Sequence, residues 1–339
     1  MIIYYFKICS VLLSSFFLID LITKKFKILR SKFFSKHQQL AGTESIPLIG
    51  GAIFFIYLLF NGSFYNELML YFCLPIVILG ILSDIDYLKS PRIRFVLQIL
   101  IILVFVSLSK LQIIDLRIDY LNKFFSNFYF SLLFTSFCLL ILLNGSNFID
   151  GLNGLNLGYF LLVLITLIIA SKVTNFNIDE KTIISLLIIF IFLLFLNLCN
   201  FLYIGDSGAY LIGFVIGILI IETHLLNPSV SPYFFALLLW YPAFENFFSI
   251  IRKKTIKLDP TEPDTNHLHQ LIYKLLNNKN YSNIFASIII NFYNLAVFLT
   301  SIVFMDNTLY LSLLLFINIF VYLMTYFISK KNINSLLVK

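Results

Sequence analysis

Apolar runs of about 18 residues or more recur from one end of this 339-residue chain to the other. Each is long enough to cross a ~30 Å hydrocarbon core as a helix rising ~1.5 Å per residue. A soluble enzyme and a disordered chain are both excluded: 60% of residues are hydrophobic and only 12% charged, against ~25% charged in soluble domains. Mean hydropathy is +0.94. Solid runs such as Ile183–Leu198 also exclude a membrane β-barrel, whose strands alternate over ~10 residues. The chain therefore reads as an all-α, polytopic integral membrane protein of about eleven spans: 4–22, 47–61, 68–83, 94–110, 128–145, 156–173, 183–203, 208–226, 232–251, 283–305 and 308–328.

No internal repeat and no Pro- or Gly-rich linker divides the sequence, so residues 1–339 read as a single domain. Its main loops are 23–46, 84–93, 146–155, 204–207 and 252–282. The first span runs into Asp20 and Lys24 without a small-residue cleavage site, which predicts a retained anchor. Cys9, Cys73, Cys138 and Cys199 fall one per apolar stretch with no paired spacing, as buried small hydrophobes do.

Eleven spans put the termini on opposite sides, and lysine and arginine choose which. With the N-terminus outside, the inner loops hold Lys24, Lys25, Lys27, Arg30, Lys32, Lys36, Lys89, Arg92, Arg94, Arg252, Lys253, Lys254, Lys257, Lys274 and Lys279, and the tail adds Lys330, Lys331 and Lys339. That is 18 of the 24 basic residues. Lys7, Lys110, Arg117, Lys123, Lys172 and Lys181 stay outside. The positive-inside rule predicts an outer N-terminus and a cytosolic C-terminus. The net charge of +7 then speaks to topology, and no nucleic-acid partner is expected.

Four polar clusters fall at the cytosolic ends of these spans. Asn144, Asn147, Asp150 and Asn153 are three apart, which on a continuous helix makes a polar stripe. Unsatisfied polar groups in an apolar setting cost several kcal/mol, so this stripe needs partners. Gly205-Asp206-Ser207-Gly208 precedes the eighth span. Ser207 or Asp206 fits a helix N-cap there; a helix start also attracts phosphate, beside which Asp206 would be a natural Mg²⁺ ligand. Asn197 lies upstream as a second polar group in an apolar span. Ser83-Asp84-Ile85-Asp86 closes the third span, with Asp84 nearer the bilayer than Asp86. The last cluster is Asp264-Thr-Asn266-His267-Leu-His269-Gln270. Its two rings share a side only if the segment is extended, and without a nearby cysteine they suit phosphate or carboxylate better than zinc. His37 and His224 read as solvated. Glu245, inside the ninth span, needs a protein-facing role.

In this order and on this side, the residues resemble the polyprenyl-phosphate N-acetylhexosamine-1-phosphate transferase superfamily, which includes the phospho-MurNAc-pentapeptide transferase. They lie nearer the initiating enzymes of enterobacterial common antigen and wall teichoic acid. The resemblance covers Pro47-Leu-Ile-Gly50-Gly51, Gly80-Ile-Leu-Ser83-Asp84 with Ser90-Pro91-Arg92-Ile-Arg94, Asn144 through Gly154, Asn197 with Gly205–Gly208, and His267-Leu-His269. It implies transfer of a sugar-1-phosphate from a UDP-amino sugar to polyprenyl phosphate, with Mg²⁺ (or Mn²⁺ as a substitute) and release of UMP, in a bacterial inner membrane with the site on its cytosolic face. It further implies Asp206 and Asp150 as metal ligands and Asp84, Asp150, Asp206, His267 and His269 as catalytic residues. Asn144, Asn147 and Asn197 would bind nucleotide or complete the metal site. A homodimer is compatible.

The chain departs from the family at Ser83, Asn153 and Gln270, where two acids and a histidine are usual. These keep hydrogen bonding and lose charge, which argues against the pentapeptide transferase itself. The phospho-MurNAc-pentapeptide transferase, a non-catalytic member and a transporter or flippase are the alternatives. A transporter should carry ionisable residues near mid-membrane, where only Glu222 and Glu245 qualify.

Overall fold

The computed structural model describes residues 2–31, 45–62, 65–257, 265–276 and 282–337. Lys32, Lys36, His37, Asp264, Lys279 and Lys339 lie outside the described residues. The described chain is helical throughout: α1 Ile2–Phe26, α2 Gly50–Phe60, α3 Glu67–Asp84, α4 Pro91–Ser109, α5 Asp119–Phe125, α6 Phe128–Ile149, α7 Leu155–Val173, α8 Glu180–Leu198, α9 Gly205–Leu226, α10 Pro232–Thr255, α11 Leu268–Leu275, α12 Ser282–Val303 and α13 Thr308–Leu337. Among the described residues, nine of these are long and apolar enough to cross a membrane. This is a polytopic helical membrane protein.

Short polar side chains start several helices. Asn66, Ser90, Asn127, Asp179 and Ser231 each accept a first-turn backbone N–H, a type of cap worth ~1 kcal/mol. Pro91 and Pro232 follow two of them in the first turn, where a missing N–H costs nothing.

Two spans differ from the sequence reading. The second is an 11-residue helix, Gly50–Phe60, only ~16 Å long. The hydroxyls of Tyr57, inside α2, and Tyr65, beyond it, both reach Ser185 near the start of α8. The seventh, expected over 183–203, stops at Leu198. There Asn200 takes a left-handed φ of 58°, and the Asn197 amide donates to the carbonyl of Leu202 at 3.2 Å. α5 and α11 are short helices outside the eleven expected spans.

α9 is the central post, packed against α2, α3 and α6. It buries 78% of its membrane-length window, against 22% for α4. In lipid, helices associate by close packing and hydrogen bonds, and glycine permits that here. A Cβ on Gly80 would stand 2.2 Å from the Cα of Ser207, so α3 can touch the start of α9 only through a glycine.

The bundle has two chemically different ends. At one, Arg117 donates to the carbonyls of Pro228, Ser229 and Asp306 and to the Thr308 hydroxyl. At the other, the start of α2 pairs with the turn before α9, through Gly50 N–H to Tyr203 O at 3.1 Å and Tyr203 N–H to Pro47 O at 2.9 Å. Among the described residues, the sequence-derived polar clusters gather at this second end.

Candidate active site

The site is built around the start of α9. Gly205 has φ +72°, a left-handed turn that favours glycine, and a Cβ there would meet the Asp84 carboxylate at 2.8 Å. That tight turn aims the first amides of α9 at α3. Asp84 Oδ1 accepts the Asp206 N–H at 2.8 Å and Oδ2 accepts the Ser207 N–H at 3.2 Å. The cap of α9 is therefore Asp84, from another helix, and not the side chain of Asp206 or Ser207.

Asp206 is thereby left to face the other way. Its Oδ2 accepts the Ser83 hydroxyl at 2.5 Å and Arg94 Nη1 at 2.9 Å, and Arg94 also donates to Ser83. About a quarter of the Asp206 side chain remains accessible. In the sequence, Arg94 stands out only as a motif and topology residue. A usable signal was present: a cation one turn into α4 opposes the helix dipole and calls for a nearby anion.

Asp150 completes the acidic group. It is the C-cap of α6 and keeps some solvent contact. Burial, then the charges of Asp206 and Asp84, hold its carboxyl well above the ordinary carboxylate range. Its own charge and burial push the Tyr203 hydroxyl up to about 12, burial being the larger cause. Three acids thus share one electrostatic neighbourhood. Arg94 pairs with Asp206 alone among these three acids in the contacts described above, and oxygen donors suit Mg²⁺. Among the described residues, no three His, Cys, Asp or Glu side chains form a ready-made metal cluster. Mg²⁺ does not need one, since one or two carboxylates with phosphate oxygens and water suffice. Asp206 and Asp150 fit that role.

The expected polar stripe is broken because α6 ends at Ile149. Asn144 donates to Gln98 at 2.9 Å and Asn147 to the Tyr210 hydroxyl at 3.2 Å. Asn153 instead faces α8, donating to the Asn197 carbonyl at 3.1 Å and to Asn200 Oδ1 at 2.6 Å. Asn197 Oδ1 accepts the Gly154 N–H at 2.7 Å. Asn153 and Asn197 therefore join the α6–α7 turn to the end of α8, while Asn147 stays on the side of α9.

His267 and His269 are brought together although a helix begins between them. His267 is the extended N-cap of α11, so its ring turns back over His269, with centroids 5.5 Å apart and planes at 14°. A Cβ on Gly151 would sit 2.9 Å from His269 Nε2, which places the pair beside Asp150. Gln270 accepts the His267 backbone N–H at 3.3 Å. Lys253 is buried and lies 5.7 Å from the Phe148 ring, whose other neighbour is His267 at 5.2 Å. In the sequence, Lys253 bears on topology alone.

Residues 67–224 match the model of Glycosyl transferase family 4, a stretch holding Asp84, Arg94, Asp150 and Asp206. The chain is 28% identical to the probable undecaprenyl-phosphate N-acetylglucosaminyl 1-phosphate transferase of Bacillus subtilis (strain 168), over 57% of this chain and 54% of the relative. It is 26% identical to the undecaprenyl-phosphate alpha-N-acetylglucosaminyl 1-phosphate transferase of Thermotoga maritima, over 67% of this chain and 68% of the relative. The chain thus spans about half the length of the first relative and two thirds of the second. Motifs, fold and relatives together show its likeness to the polyprenyl-phosphate hexosamine-1-phosphate transferase superfamily.

Proposed function

We propose that the protein transfers a sugar-1-phosphate, an N-acetylhexosamine derivative, from a UDP-sugar to polyprenyl phosphate and so begins a lipid-linked surface glycan. The observation that carries this is the gathering of Asp84, Asp150, Asp206, Arg94, His267 and His269 at one end of the bundle. A site at the helix ends suits a reaction between a soluble nucleotide and a lipid headgroup. With the basic loops on the same side, that end faces the cytosol of a bacterial inner membrane.

In the reaction, an oxygen of the lipid phosphate attacks the sugar-bearing phosphorus of the donor. The bond to the uridylate oxygen breaks, and UMP leaves with that electron pair. A phosphate monoester with a second pKa of ~6 is already mostly dianionic at pH 7, so no protein base is required. Mg²⁺, when bound, would supply positive charge to the phosphates. Asp206 and Asp150 would hold it. Arg94 and Lys253 supply fixed positive charge, and His267 with His269 orients phosphate oxygens. Asp84, with both oxygens on the start of α9, positions Asp206.

The test is release of UMP by purified protein given Mg²⁺, polyprenyl phosphate and a panel of UDP-sugars. One UMP should appear per lipid-linked sugar formed, with an N-acetylhexosamine donor preferred. Lack of UMP release with every donor would overturn the reading.

A further inference from the structure

Glu245 is 1% exposed in α10, at a depth where an acid is costly. It has two partners from other elements. Its Oε1 lies 2.9 Å from His267 Nδ1, and its Oε2 accepts the Tyr322 hydroxyl from α13 at 2.8 Å. Two groups compete for the ring: the Glu245 oxygen, which with Tyr322 donating to the other oxygen calls for a proton on Nδ1, and the Gln270 backbone N–H, for which the His267 side chain is the capping acceptor. The tautomer of a histidine is set by the bond its other nitrogen makes. With the proton on Nδ1, Nε2 on the far edge of the ring is the nitrogen that meets a ligand.

We propose that Glu245 is a positioning residue for His267: it fixes the Nδ1–H tautomer and the ring plane, and Tyr322 locks the carboxylate in place. This rests on the phosphate-orienting role proposed above for His267. It also gives α13, which otherwise lies at the lipid-facing edge, a link to the site. The matched family stretch ends at residue 224, so neither Glu245 nor Tyr322 belongs to it.

The test uses the full-length protein in lipid nanodiscs. ¹⁵N-histidine solid-state NMR, with His267 assigned by its loss in His267→Gln, should show the Nδ1–H tautomer in the wild type. It should show a mixture in Glu245→Leu, and little change in Tyr322→Phe. In the transferase assay, Glu245→Gln keeps size and an acceptor oxygen. It should lower kcat by on the order of 10- to 100-fold, the range for losing a partner that orients a ligand histidine, with KM for the UDP-sugar altered less than about threefold. Tyr322→Phe should cost about threefold in kcat. If wild-type His267 carries its proton on Nε2, or if Glu245→Gln keeps wild-type kcat, the inference is wrong. An inactive wild type with a Glu245-dependent Nδ1–H signal would overturn the proposed reaction and leave the positioning intact. Should Glu245→Leu fail to fold, the wild-type NMR signal and Tyr322→Phe still decide the matter.

Discussion

Asp84 accepts the backbone N–H groups of both Asp206 and Ser207, at 2.8 and 3.2 Å, from a position 122 residues earlier in the chain. One carboxylate thereby closes the first turn of the central helix and sets the direction of the acid beside it. Removing it should have both structural and chemical consequences. Asp84→Ala should lower stability by about 1–2 kcal/mol, the scale of a lost N-cap, and reduce turnover at least 100-fold. Thermal unfolding in detergent beside UMP release checks both, and unchanged stability would show that the cap is not held by Asp84.

The ion pair between Arg94 and Asp206 makes a prediction about metal dependence. Arg94 holds Asp206 Oδ2, the oxygen for which Mg²⁺ would compete in the proposed reaction. Arg94→Ala should therefore lower the Mg²⁺ concentration needed for half-maximal rate while reducing the rate at saturation about 100-fold. Titration of initial rate against Mg²⁺ in both proteins separates the effects.

The pH dependence follows from Asp150. Its folded-state pKa is raised by burial and by Asp206 and Asp84, so the folded state holds the proton more tightly than the unfolded chain does. Stability from this proton is full below the unfolded value of ~3.9 and is lost as pH rises through the folded value. Without divalent cation, the unfolding midpoint should fall as pH rises across that window. Asp150→Asn should flatten the slope, and Mg²⁺ should restore stability while releasing protons.

Topology gives a further prediction. A cysteine at Lys257, beside the site end, should react with an impermeant thiol reagent only in inverted vesicles. One at Lys123 should react only in intact cells. The reverse pattern would move the site to the outer face.

The fold was legible because apolar run length is a local property; the short helix α2 is tied to α8 through Tyr57 and Tyr65 on Ser185, a long-range contact that run length does not show. The site was legible in residue type and in side of the membrane. Its wiring was not. The three-residue spacing from Asn144 to Asn153 predicted one stripe, but the helix stops at Ile149 and sends Asn153 to α8. Likewise Gly205-Asp206-Ser207-Gly208 carried a local cap signal, while the actual cap is remote. Glu245 was recognisable as out of place in an apolar span, yet its partners His267 and Tyr322 are 22 and 77 residues away.

The central claim is that Asp206 serves phosphoanhydride exchange and not the fold of α9. Because one phosphoanhydride replaces another, the reaction should run backwards. The direct measurement is exchange of labelled UMP into UDP-sugar in the presence of lipid product, for wild type and for Asp206→Asn. The wild type should exchange only when lipid product is present, and Asp206→Asn should insert and fold normally while exchange falls by orders of magnitude. Near wild-type exchange by Asp206→Asn at limiting Mg²⁺ would contradict the account.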